Sequence, residues 1–119
     1  MSTLMQSHAT EFCQAWMHVE YAVHKTAQDK GWWDTPREDG TCIALMHAEL
    51  SEALEAFRKG GFHESDDKIH HPAVTVELAD VVIRIMDYCA YNQLDIAQAL
   101  VEKAQYNETR EYRHGGKSC

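Results

Sequence analysis

Phe12, Trp16, Val19 and Val23 recur at three- and four-residue steps, which places them on one face of a helix. The pattern predicts a helix from about Thr3 to Asp29, ended by Gly31. The stretch Gly31 to Gly40 is too rich in Gly, Pro and Asp to continue it, yet it carries Trp32 and Trp33, so it is read as a loop holding two large aromatics. A second helix is expected to begin near Thr41, as N-cap, and to stop at Gly60-Gly61, with Ile43, Met46, Leu50, Ala53, Leu54 and Phe57 as its apolar stripe. Gly60 to His71 is polar and charged and reads as a solvated connection. Pro72 suits the first turn of a third helix running to about Asn92, and Asp95 caps a fourth that continues to about Glu108. Residues 109–119 form a basic tail, and residues 1–119 are expected to be a single all-α domain of four helices.

Composition narrows the functional classes. With 119 residues, 45% of them hydrophobic, the chain can bury one modest core. Nineteen acidic against eleven basic residues give a net charge of -8, which argues against a domain that holds nucleic acid on its own basic surface. A polyanionic ligand would need a cation as mediator. No apolar run approaches the ~20 residues of a membrane helix, and the N-terminus lacks the basic and apolar regions of a secretion signal, so the expected location is the cytoplasm, with no membrane partner. Cys13, Cys42, Cys89 and Cys119 form no Cys-x-x-Cys pair, and no His-Glu-x-x-His occurs among the eight histidines; the thiols are read as free in a reducing compartment.

The acidic residues carry the strongest chemical signal. Glu49 and Glu52 lie three residues apart on the second helix, and Glu77 and Asp80 do the same on the third, so each pair shares one helix face. On the second helix alone this is what a solvated face looks like. The third helix differs, because Val74, Leu78, Val81, Val82, Ile85 and Cys89 form one apolar stripe and Val76, Ala79, Ile83 and Met86 another. Only the line Glu77, Asp80, Arg84 and Asp87 is polar, so its carboxylates are expected in a cleft between neighbours, where unpaired charge is expensive. Arg84 balances part of that charge. Facing Glu49 and Glu52, the cluster would offer four carboxylates, a hard-oxygen site suited to Mg²⁺, with Mn²⁺ as a substitute. A ferritin-like di-iron centre lacks its Glu-x-x-His motifs here; metal-assisted hydrolysis of a phosphoanhydride fits the donor set.

Glu49-x-x-Glu52, a gap of 24 residues and Glu77-x-x-Asp80 resemble the signature of the all-α nucleoside triphosphate pyrophosphatases, which include MazG-like enzymes, dimeric dUTPases and dCTP pyrophosphatases. Lys30-Gly31-Trp32-Trp33, the run Ile43 to Glu55, and Lys103-Ala104-Gln105-Tyr106-Asn107-Glu108-Thr109-Arg110 also look MazG-like, so the resemblance covers roughly residues 15 to 115. It implies a four-helix, bundle-like fold in which Glu49, Glu52, Glu77 and Asp80 bind Mg²⁺ and activate water for cleavage between the α and β phosphorus atoms of a (d)NTP. The products would be a nucleoside monophosphate and pyrophosphate, as in clean-up of a nucleotide pool. Lys103, Asn107 and Arg110, at i, i+4 and i+7, offer two cations and an amide to the phosphates.

Trp33 and His24 are similar to base-pocket residues of the dCTP-pyrophosphatase branch, whereas Trp32 is assigned to packing. Where that branch has a further aromatic, this chain has Phe57-Arg58-Lys59, which leaves the preferred base open. Glu55 is at most an auxiliary ligand or general base. A doubly apolar third helix also predicts self-association, a homodimer at least and a homotetramer by resemblance. The competing class is a non-catalytic helical oligomerisation module that binds metal or nucleotide without turnover.

Overall fold

The computed structural model describes residues 3–113, and side chains from Met5 onward. The described residues are all helical apart from loops: α1 (Thr3–Asp29), α2 (Asp39–Gly60), α3 (Ala73–Asn92) and α4 (Ile96–Glu108). A single bridge pairs Ser65 with Pro72 in the α2–α3 connection. Asp66 orders that connection by accepting the backbone N–H groups of Lys68 and Ile69 at 2.8 and 3.1 Å, which holds its carboxyl below the usual range. No described helix is long and apolar enough to cross a membrane.

Two helix ends follow the expected chemistry. Asp95 caps α4, its Oδ1 accepting the backbone N–H of Gln98 at 3.1 Å. Gly31 closes α1 at φ 88°, with Trp32 N–H donating to the Ala27 carbonyl and Gly31 N–H to the Gln28 carbonyl, both at 3.1 Å. This crossed pair needs a left-handed residue between its donors, which glycine adopts without strain, and it fixes where Trp32 and Trp33 leave the helix. Two starts differ slightly from expectation. α2 begins at Asp39 after Glu38, ahead of Thr41; Asp39 complements the helix dipole and accepts Tyr88 Oη–H at 3.2 Å. Pro72 stands just before α3, not within its first turn. Of the tail, Thr109 to Arg113 is described; His114 to Cys119 lies outside the described residues, as do Met1 and Ser2.

α3 is the central helix, packing on α2 along one side and on α1 along another, while α4 packs on α1. Contacts between Asp39 and Tyr88, Glu49 and Arg84, and Glu52 and Glu77 show that α2 and α3 run antiparallel. The core is thin. Cys42 and Ala53 of α2, Val74, Met86 and Cys89 of α3, and Ala97 and Val101 of α4 are buried, with Trp16 Nε1–H donating to the buried Glu20 carboxylate at 3.0 Å. The apolar stripe expected to be the buried side of α2 is largely bare: Ile43, Leu50, Leu54 and Phe57 are 45–50% exposed. They sit beside the face that α3 covers, because the apolar arc of α2 is wider than one neighbouring helix. Leu78, Val82 and Ile83, between the second turn and the middle of α3, are similarly exposed.

Candidate active site

The antiparallel register of α2 and α3 brings together acids 25 or more positions apart in the chain. Carboxylate oxygens of Glu49, Glu52 and Glu77 lie within 4.8 Å of one another. Asp80 stands one turn beyond Glu77 and, with Glu49, lines an adjoining cleft of about 260 Å³. Arg84 Nε–H donates to Glu49 Oε1 at 2.8 Å, so one guanidinium is set against four carboxylates. Of the polar line of α3, Asp80, Arg84 and Asp87 line that cleft while Glu77 lies with Glu49 and Glu52, and Glu49 faces inward from α2 with 12% of its side chain exposed.

Burial and the crowding of like charge raise two acids of the cluster. Burial, a hydrogen bond with Glu52 and the charges of Glu52, Asp80 and Glu49 push the Glu77 carboxyl up to about 7. Burial and the Glu49 charge raise Asp80 as well, opposed by Arg84. The folded chain therefore holds the Glu77 proton more tightly than the unfolded chain, whose carboxyl titrates near 4.5. Between those values the folded state binds more protons, so stability in metal-free buffer falls as pH rises through that window. Glu77→Gln is expected to flatten the fall and to raise the melting temperature by several degrees at about pH 8 while changing little at about pH 4. Melting curves across that range check it, and parallel pH profiles for the two proteins would overturn it.

At the other end of the cleft, Asp87 of α3 holds residues from α1 and from the α1–α2 loop. Its Oδ1 lies 2.7 Å from His24 Nδ1, and Trp33 Nε1–H donates to both carboxylate oxygens at 2.9 and 3.1 Å. Trp33 also stacks on Tyr91, with ring centroids 3.9 Å apart and planes 9° from parallel. Asp87→Asn keeps the shape but removes the charge that holds His24 and the indole, and is expected to cost on the order of 1–3 kcal/mol. Urea unfolding of the variant measures this.

These contacts show where the residues expected in a base pocket lie. Trp33 and His24, expected to meet a base, are engaged with Asp87 and Tyr91, and neither lines the cleft. Trp32, expected to pack, is 57% exposed and lines it, together with Lys30 and Arg37. Lys103, Asn107 and Arg110 are not among the lining residues; α4 packs on α1, and Lys103 and Arg110 lie over the Tyr106 ring at 4.8 and 5.8 Å. Lys30, Arg37 and Asp87 thus enter the site without having been given a role. Asp87 carried a signal as the last member of the α3 polar line and Lys30 as part of the run Lys30-Gly31-Trp32-Trp33, whereas Arg37 carried none.

No family model, curated protein or solved structure matches the chain. The residues of the cleft carry the functional reading by themselves. Three hard-oxygen donors close enough to share one ion, a fourth one turn away and three cationic side chains in the adjoining cleft suit a divalent cation together with a polyanion.

Proposed function

We propose that the chain is a MazG-like nucleoside triphosphate pyrophosphohydrolase that cleaves (d)NTP to (d)NMP and pyrophosphate. The convergence of Glu49, Glu52 and Glu77 within 4.8 Å is the observation that supports it most strongly. Glu49, Glu52, Glu77 and Asp80 would hold Mg²⁺ or Mn²⁺, which supplies phosphate neutralisation and a lowered pKa for water. The chain's own part is to orient those acids from two antiparallel helices. Arg84, which now neutralises Glu49, stands ready to donate to a phosphate oxygen once a cation takes that carboxylate.

The bare apolar faces of α2 and α3 support a homo-oligomer, a dimer at least and a tetramer in the full form of this reading. Assembly is also the arrangement in which Lys103, Asn107 and Arg110, away from the cleft of their own chain, would reach a phosphate tail.

The test is release of pyrophosphate and monophosphate from a panel of ribo- and deoxynucleoside triphosphates, with Mg²⁺ and with chelator. Metal-dependent pyrophosphate release establishes the reaction and ranks the bases. Orthophosphate release, or no turnover of any nucleotide, overturns it and moves the non-catalytic binding module into first place.

A further inference from the structure

The cleft beside the carboxylates is also lined by two cations to which the resemblance assigns no role. Lys30 follows the end of α1 and Arg37 precedes α2, and both line the same space as Glu49, Asp80 and Arg84. The Arg37 guanidinium lies 5.0 Å from the ring centroid of Trp33 and 5.6 Å from that of Trp32. It is therefore held by aromatic faces, and among the described residues neither Arg37 nor Lys30 forms an ion pair. In a chain of net charge -8, two cations directed into an acidic cleft without pairing to its acids are donors without an acceptor.

We infer that Arg37, with Lys30 beside it, binds the polyphosphate tail of the substrate and makes that tail, more than the base, the recognised part of the nucleotide. This rests on the pyrophosphohydrolase reading above. Two observations carry it beyond that reading. Guanidinium is the side chain best matched to phosphate oxygens, and that of Arg37 lies near two indole rings with no ion-pair partner among the described residues. The cleft, about 260 Å³, sets Lys30, Arg37 and Arg84 beside Glu49 and Asp80, the neighbours that a metal-bound phosphate tail requires, with Trp32 among the same lining residues. There the exposed face of Trp32 can stack on any base. Trp33 takes no part in that contact, since Tyr91 stacks on it and Arg37 lies over its ring.

The experiment measures binding of inorganic triphosphate in Mg²⁺ by calorimetry, and KM and kcat for nucleoside triphosphates, on wild type, Arg37→Gln, Arg37→Lys and Lys30→Gln. Wild type is expected to bind inorganic triphosphate within about tenfold of its nucleotide affinity. Arg37→Gln should weaken both ligands by about tenfold or more, raise KM more than it lowers kcat, and be partly restored in Arg37→Lys. Lys30→Gln should act in the same direction and more weakly. No binding of inorganic triphosphate by wild type, or equal binding by wild type and a folded Arg37→Gln, overturns the inference. If wild type binds triphosphate through Arg37 but turns over no nucleotide, the inference stands and the hydrolase reading falls.

Discussion

Glu52→Gln is expected to leave a folded protein whose metal-dependent pyrophosphate release is lower by at least about 10²–10³-fold, the scale on which removing one charge-stabilising group acts in a hydrolytic site. Glu52 is exposed, so the substitution empties no part of the core. It also removes one of the charges that press on Glu77, so the metal-free variant should melt no lower than wild type. Loss of turnover without loss of stability separates a site residue from a structural one. The measurement pairs initial rates with melting curves, and a variant that retains wild-type turnover would remove Glu52 from the site.

Leu54→Asp should convert the protein to a monomer. In a single chain Leu54 is 50% exposed and Leu50 48%, so neither side chain contributes much to the chain's own core, and an aspartate at either position can remain solvated. In an assembly that covers this face the same aspartate would be buried without a partner, at a cost of several kcal/mol per copy. Light scattering is expected to give at least twice the chain mass for wild type and the single-chain mass for Leu54→Asp, with Leu50→Asp behaving alike. A wild type that is already monomeric would overturn the oligomer. The two variants divide the questions: one disables chemistry in an intact assembly, the other dissolves the assembly while leaving the intrachain acids in place.

Much of the fold was legible because it depends on local signals. Gly31, Pro72 and Asp95 mark helix ends through backbone conformation or a side-chain cap, and such effects act within a few residues. The acidic cluster was legible for a related reason. Spacing of three within each pair fixes a shared face, and the two apolar sides of α3 leave its polar line one direction to point. What escaped depended on which neighbour covers which face. Periodicity marks Ile43, Leu50, Leu54 and Phe57 as apolar but does not show that α3 would cover the adjacent arc occupied by Cys42, Glu49 and Ala53.

The different surroundings of Trp32 and Trp33 have the same origin. Two consecutive indoles leave a turn in different directions, and the choice is made by Asp87 and Tyr91, more than 50 residues further along the chain. Arg37 is unremarkable in a charged sequence, and Lys30 is marked only as part of its run with Trp32 and Trp33; the fold is what sets both in the lining of the cleft.

The position of Asp87 on α3 also bears on how the cleft can move. It lies seven residues, two helical turns or about 10 Å, beyond Asp80 on the same uninterrupted helix. Through Trp33 and His24 that one residue fastens the aromatic loop and the end of α1 to the rod that carries Glu77 and Asp80. A rotation or slide of α3 that repositions the acids must carry the loop anchor with it, so the two ends of the cleft share one mechanical degree of freedom. Adjustment of one end alone is left to side-chain rotamers and to the backbone between Trp33 and Glu38.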